Sequence, residues 1–382
     1  MPSSENQGFS SRIPFPSFRR GIFTIRSDQI QIHSVENEQG GSSSQGSELR
    51  SFQRLVSSRF SDLSVANGEE FLSVSWVRKL LDAFGDCQDE FRAVLSSSKE
   101  FVSKQPQDKI LSDYFDMNIK ALDICNATRD GVQKIRSWQR HLEIVVSALD
   151  PPQQRMRRAR KALMDLSLDM LDEKDTGGSV FSIRNRSFGH HNRTKDSPRH
   201  SRSLSWSVSP SWSASKQLQL IANGLALPNA ATNGLATLVF TMSHVLLFVL
   251  WAVVAAIPCQ DRGLQTNITI PTLFPWSRSL QTLHSRITEE SKKRGRSSNG
   301  LLRETHLVEK GVHRLTELID SPQLPLSEEH KEDMRESVET LSRVSKTYQT
   351  ELGPLEHQLR EVFRKIRSCR AEGLEFLANA HS

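Results

Sequence analysis

The stretch LATLVFTMSHVLLFVLWAVVAAI, residues 235–257, is a long apolar run in a chain that is otherwise polar and charged. It contains 23 consecutive residues without a formal charge. As an α-helix rising about 1.5 Å per residue, it would extend roughly 34 Å, close to the roughly 30 Å hydrocarbon thickness of a bilayer. Its Leu, Ile, Val and Phe side chains would favour insertion by roughly 4 to 8 kcal/mol. The segment is therefore long enough and apolar enough to cross a membrane.

Two hypotheses explain this segment. In the first, it is a single-pass or membrane-embedded helix, whose orientation stays open because basic residues lie on both sides. In the second, it is the buried central helix of a bundle formed by the flanking sequences, and such a helix is equally apolar on all sides. Under the first hypothesis, the membrane-segment residues are Leu235, Phe240, Leu247, Trp251 and Ile257.

The sequences on both sides of this segment show helical periodicity, and none of their apolar runs alternates as a strand would. The predicted fold class is therefore all-α: an interrupted helical bundle with a disordered N-terminus, a disordered Ser/Arg linker and one apolar helix. The predicted organisation is a disordered tail at 1–47, an N-terminal helical block at 48–172, a flexible basic Ser-rich linker at 173–216, the apolar helix at 235–257 and a C-terminal helical block at 276–380.

An apolar stripe near the C-terminus steps by alternating intervals of four and three residues, which is typical of a coiled coil or bundle helix. Gly353 and Pro354 interrupt this stripe, and proline removes a backbone donor from a helix interior. The sequence therefore predicts a short helix beginning near Pro354 rather than one long rod. The stripe consists of Tyr348, Leu352, Leu355, Leu359, Val362 and Ile366.

The linker carries a local excess of positive charge. Between residues 184 and 202 there are six cations and a single acid, Asp196. Such a run can attract an anionic membrane leaflet, and phosphorylation of nearby serines would weaken the attraction. A solvated linker without a partner explains the same composition. The candidate anionic-surface contacts are Arg184, Arg186, Arg193, Lys195, Arg199 and Arg202.

No enzymatic signature stands out in this sequence. We find no phosphate-binding glycine loop, no HExxH or G-x-S-x-G motif and no paired metal ligands. The four cysteines are far apart and lack zinc-ligand spacing, which indicates reduced thiols rather than a disulfide framework or a metal site. The sequence therefore predicts a non-enzyme with no catalytic residues, cofactor, metal or small-molecule substrate.

Two stretches carry a resemblance to a known family. They are the tail FPSFRRGIFTIRSDQI, residues 15–30, and the opening helix SELRSFQRLVSSRFSDL, residues 47–63. Together with the Ser/Arg linker, the apolar segment and the C-terminal block, they resemble the plant BYPASS-related proteins, most closely the ROH branch. The resemblance implies a partner, an exocyst tethering subunit, and a role in polarised secretion of cell-wall or seed-coat mucilage polysaccharide. It carries over no catalytic residue.

The sequence thus predicts a membrane-associated adaptor of exocytosis, with helical blocks that face the cytosol and a possible cytosolic pool. One alternative is a soluble regulatory helical scaffold in developmental signalling. A weaker alternative is a nucleic-acid binder that uses the Arg/Ser linker, but this linker has few aromatic residues for base stacking and no RNA-binding motif. We therefore expect no nucleic-acid partner.

Overall fold

The computed structural model describes residues 44–97, 107–149, 155–171, 212–228, 234–259, 268–295, 299–320 and 327–380. The tail predicted at 1–47 is therefore described only from Ser44 onward. Most of the linker predicted at 173–216, including all six candidate anionic-surface contacts, lies outside the described residues. Residues 42–382 form one compact unit, and the other unit, residues 1–41, also lies outside the described residues.

All regular structure in the described ranges is helical, which confirms the all-α prediction. In chain order the helices are α1 (Ser44–Ser64), α2 (Val74–Ser97), α3 (Gln107–Leu149), α4 (Met156–Met170), α5 (Ala214–Asn223), α6 (Gly234–Ala256), α7 (Ser277–Arg294), α8 (Arg303–Asp320) and α9 (Glu328–Ala380). Helix α5 was not predicted. It begins inside the predicted linker, where the Ser213 side chain accepts a hydrogen bond from the Lys216 N–H and caps the helix.

The two longest helices, α3 and α9, pack against each other in antiparallel orientation. The Arg370 side chain of α9 donates to the Phe115 carbonyl near the start of α3, at 3.0 Å. Farther along α3, Arg136 pairs with Glu356 at 2.8 Å. Helix α2 packs on the same α9 in parallel orientation. The N-terminal and C-terminal helices therefore share one packed interior.

Helix α9 corrects the prediction of a break at Pro354. It is continuous over 53 residues and contains Pro354 in its interior. Gly353 and Pro354 are exposed, whereas the apolar stripe on both sides of them is buried against the bundle. An interior proline costs about 3 kcal/mol, but each buried leucine contributes about 1.5 to 3 kcal/mol. Burial of the stripe therefore outweighs the local helix breaker.

A buried carboxylate joins α8 to the start of α2. Glu304 is 8% exposed, and both of its carboxylate oxygens lie 3.2 Å from the Val74 backbone nitrogen. Burial raises the pKa of this carboxyl, and the hydrogen bond from Val74 opposes that rise. The neighbouring Thr305 hydroxyl lies 3.0 Å from the Tyr348 hydroxyl of α9. These contacts fix the start of α2 relative to α8 and α9.

Helix α6 lies at the centre of the bundle, where α1, α2, α3, α5 and α7 contact it. Large aromatic side chains surround it. The Phe60 ring of α1 packs edge-on against Phe248, with ring centroids 5.8 Å apart. The Trp251 ring stacks on His284 of α7, with centroids 4.5 Å apart. The apolar segment is thus covered on several sides by its own chain.

Candidate functional site

The five predicted membrane-segment residues lie in the interior of this bundle. Leu235, Phe240, Leu247, Trp251 and Ile257 are all 8% exposed or less. Helix α6 is still the one helix in the described ranges that is long and apolar enough to cross a membrane. Length and composition fit both hypotheses for the segment, and the arrangement in the structure is that of the second, a central buried helix.

Three polar side chains of α6 bond to the backbone of the same helix. Thr241, Ser243 and His244 each bond to the carbonyl oxygen four residues earlier, at distances of 2.7 to 3.0 Å. A hydroxyl or imidazole that is paired in this way avoids the cost of an unpaired buried polar group. These residues therefore do not require a ligand to explain them.

Backbone contacts close the C-terminal end of α6. The Leu301 and Leu302 N–H groups donate to the carbonyl oxygens of Ala255 and Ala256, at 2.9 and 3.1 Å. Gly300, with φ of +88°, makes this approach possible, since a Cβ there would lie 2.1 Å from the Ala256 oxygen. The last carbonyls of a helix lack partners inside the helix, so these bonds supply partners from the α7–α8 connection. The end of α6 is thereby built into the bundle.

Two histidines beside this core predict a pH dependence of stability. Burial lowers the pKa of both His244 and His284 from the ordinary value of 6.5. The unfolded chain then binds protons that the folded chain excludes, so the free energy of unfolding decreases as pH falls below 6.5 through the lowered pKa values. We expect His284→Phe, which keeps a ring against Trp251, to make this decrease shallower in urea unfolding between about pH 7 and pH 5.

The matched control for this prediction is His313→Gln, because the His313 side chain is 77% exposed. It should leave the pH dependence close to that of the wild-type chain. Equal slopes for wild type and His284→Phe would contradict the assignment of this pH dependence to His284.

The described residues offer no candidate metal site, and three of the four cysteines are buried. They contain no group of three or more His, Cys, Asp or Glu side chains placed to hold a metal ion. Burial raises the pKa of Cys87, Cys125 and Cys369 to about 12, so these thiols stay protonated near neutral pH. The expectation that the chain is not an enzyme stays a prediction.

The best candidate for a binding site is a groove between α3 and α9, which we call the α3–α9 groove. Its volume is about 580 Å³. Ile119, 47% exposed, and the partly buried Leu122 and Phe363 give it apolar walls. The other lining residues are Asp123, Cys125, Asn126, Arg129, Leu359, Arg360 and Arg364. A groove of this kind suits the apolar face of a partner helix.

Arginines dominate the charge along this groove. Arg129, Arg360 and Arg364 line it and keep side-chain exposures between 41% and 58%. Acids of their own helices pair with them; for example, Glu361 lies 2.5 Å from Arg364. Desolvation raises the pKa of the single lining acid, Asp123. The lining therefore favours a ligand that carries carboxylates beside an apolar face.

This groove was not predicted from the sequence. The groove forms because α9 runs antiparallel beside α3 and does not fully cover Ile119. Ile119 and Leu122 continue the helical spacing of the buried apolar positions of α3. The pattern alone does not show which of these positions α9 leaves open.

Comparisons with known proteins place this chain in a family. A sequence model of the family described as "Protein ROH1-like" matches residues 11–377. The Arabidopsis thaliana protein ROH1D is 47% identical over 406 residues, covering 100% of this chain and 99% of its own length. ROH1A of the same plant is 33% identical over 422 residues, covering 99% of this chain and 98% of its own. No solved structure matches. The chain belongs to the ROH1-like family, as the resemblance to the ROH branch predicted.

Proposed function

We propose that this protein is a non-enzymatic adaptor of polarised exocytosis, which binds an exocyst tethering subunit and associates with membranes. Secretion of cell-wall or mucilage polysaccharide is the process that it serves. The resemblance discussed above supplies the partner. The observation that supports an adaptor is the α3–α9 groove, an open apolar surface that the rest of the described chain leaves uncovered.

The groove fits one mode of recognition. A partner helix would place apolar side chains against Ile119, Leu122 and Phe363, and carboxylates on its flanks would face Arg360 and Arg364. Charge pairs at the margin of an interface speed association and fix the register, while the apolar centre supplies most of the affinity. We therefore propose that the tethering subunit contributes an acidic amphipathic helix.

Membrane association in this proposal is peripheral. Helix α6 stays in the bundle, because extracting it would break the backbone bonds at its C-terminal end and expose the side chains of five neighbouring helices. The helical domain then lies entirely on the cytosolic side. A cytosolic pool is expected, since a peripheral protein exchanges with solution.

A substitution in the groove tests the adaptor proposal. We expect Ile119→Asp to lower the affinity for a purified exocyst tethering subunit at least about tenfold, because it places a charge in the apolar centre of the interface. Since Ile119 is 47% exposed, the free energy of unfolding should change by less than about 1 kcal/mol. Isothermal titration calorimetry measures the affinity, and urea unfolding measures the stability.

The matched control is Leu273→Asp, which introduces the same charge at a side chain that is 81% exposed and does not line the groove. It should bind as the wild-type chain does. Unchanged binding by Ile119→Asp would exclude the groove as the binding site. Absence of binding by the wild-type chain would exclude the tethering subunit as the partner.

The burial of α6 also favours a second candidate, a soluble regulatory helical scaffold. Such a scaffold needs neither the tethering subunit nor a membrane. The calorimetric experiment separates the two functions. A scaffold of this kind would have the same intact groove but would not bind the tethering subunit.

A further inference from the structure

The outer face of α4 exposes an unusual set of apolar side chains. Met164, Leu168 and Leu171 are 64%, 42% and 50% exposed. The described residues expose eight large apolar side chains in all, and three of them lie together here. Single exposed apolar residues are common on protein surfaces, but a cluster of them marks an interaction site.

The spacing places these residues on one ridge. Residues 157, 161, 164 and 168 step by four, three and four, which keeps them on the same side of α4. Leu171 directly follows the last helical residue, Met170, and continues this spacing. The opposite side of α4 is buried against α3, through residues that include Ala159, Leu163 and Leu166. The ridge is therefore a second apolar face, separate from the one that anchors the helix.

Specific bonds hold α4 in this orientation. The Trp138 indole N–H of α3 donates to the Asp169 carbonyl at 3.3 Å. Arg160 donates to the Ile319 carbonyl at 2.9 Å and pairs with Asp320 at 2.8 Å. These contacts to α3 and α8 leave the ridge facing away from the bundle. Its exposure is thus a property of the fold.

The N-terminal half of the same ridge is strongly basic. Residues 155–161 contain five cations and no acid. Arg160 pairs with Asp320, but within the part of the chain that the structure describes, Arg155, Arg157, Arg158 and Lys161 have no ion pair. All four are exposed. A surface with uncompensated positive charge next to apolar side chains is complementary to an anionic surface with an apolar interior.

We propose that the outer face of α4 is a docking site for the anionic surface of a lipid bilayer. Met164, Leu168 and Leu171 enter the boundary between head groups and acyl chains, and Arg157, Arg158 and Lys161 contact acidic head groups. The inference deepens the proposed function, because it assigns the membrane contact of the adaptor to particular residues. It does not involve the α3–α9 groove.

The shape of the site favours a bilayer over an acidic protein. The apolar side chains stand on the crest of one helix, so they form a convex ridge, whereas a partner helix needs a groove of the kind seen between α3 and α9. A helix lying in the membrane interface buries one such ridge, and its long basic side chains extend toward the head groups. The Arg and Lys side chains next to the apolar ridge of α4 can extend toward head groups in the same way.

Vesicle sedimentation of the full chain tests the basic half of the site. We expect binding to vesicles of phosphatidylcholine with phosphatidylserine, weakening as sodium chloride is raised, and little binding to phosphatidylcholine alone. The triple variant Arg157→Ser, Arg158→Ser, Lys161→Ser should lower the partition coefficient at least about tenfold. The matched control is Lys310→Ser, Arg343→Ser, Lys346→Ser, which removes the same charge from exposed positions of α8 and α9. It should retain most of the binding.

A fluorescent probe tests the apolar half. In a Cys259→Ser background, Met164→Cys adds an accessible thiol, and burial protects the other three thiols from labelling. An environment-sensitive dye at residue 164 should shift to shorter emission wavelength on anionic vesicles. The same dye at Val65→Cys, where the native side chain is 79% exposed, should not shift.

Three outcomes would overturn the inference: wild-type binding by the α4 triple variant, an equal loss in the matched control, or no emission shift at residue 164. None of these results affects groove binding of the tethering subunit, which is measured without lipid. Failure of the groove experiment likewise leaves the vesicle result standing. The two proposals can therefore fail separately.

Discussion

Trp251→Ala is expected to lower the free energy of unfolding of the full chain by about 3 to 5 kcal/mol, the range for removal of a large aromatic side chain from a packed core. Trp251 is fully buried in α6 and contacts the rings of Phe248 and His284. Domains are stable by only about 5 to 15 kcal/mol, so this single change would remove a large part of the total. Urea unfolding of the chain purified without detergent measures the effect.

Two controls separate burial from other causes. Trp251→Phe keeps most of the ring and removes an indole N–H that has no hydrogen-bond partner within the described residues, so it should cost less than the alanine variant. Val65→Ala, at a side chain that is 79% exposed, should change stability by less than about 0.5 kcal/mol.

The same substitution distinguishes the two hypotheses for the apolar segment. If α6 spanned a bilayer, Trp251 would face lipid or the membrane interior, and the bundle would not depend on it. Membranes from cells expressing the chain would then retain it through both carbonate and high-salt washes, and Trp251→Ala would leave the unfolding of the helical domain unchanged. That pair of results would contradict the central position of α6.

Gly300→Ala is expected to cost about 2 to 5 kcal/mol, from two sources. Its φ of +88° is strained for any residue with a Cβ. The added carbon would also lie 2.1 Å from the Ala256 oxygen, and backbone atoms cannot move aside as a flexible side chain can. The connection would have to shift, which would weaken the Leu301 and Leu302 bonds that close α6. Thermal and urea unfolding measure the loss.

Gly131→Ala tests the packing of α3 against the backbone that follows the C-terminal end of α6. A Cβ at this position of α3 would lie 2.0 Å from the Pro258 oxygen, so we expect a loss of about 1 to 3 kcal/mol. The matched control is Gly353→Ala, also inside a helix, where no atom lies within 4 Å of the added carbon. The control should stabilise the chain by up to about 1 kcal/mol through helix propensity. Equal effects at the three glycines would show that close packing around the end of α6 is unimportant.

The candidate sites were predictable only in part. The basic start of α4 is visible in the sequence. Helical spacing also shows a second apolar stripe in this segment, formed by Met164, Leu168 and Leu171. The α3–α9 groove could not be read in this way, because Ile119 follows the same periodicity as its buried neighbours. Exposure at such a position depends on how far α9 covers α3, and α9 is distant in sequence.

The sequence was enough to predict the helical class, because apolar spacing of three and four residues is a local property that survives in any all-α packing. It also determined the existence of one helix apolar on every side and the membership of the ROH1-like family. In the tertiary structure, five helices of the same chain surround that helix. A bilayer and a ring of five helices both suit an apolar surface, so composition favours neither. The backbone bonds from Leu301 and Leu302 and the burial of Trp251 support the ring of helices. The continuity of α9 through Pro354 was decided in the same way, because burial along α2 and α3 outweighs a local preference to break.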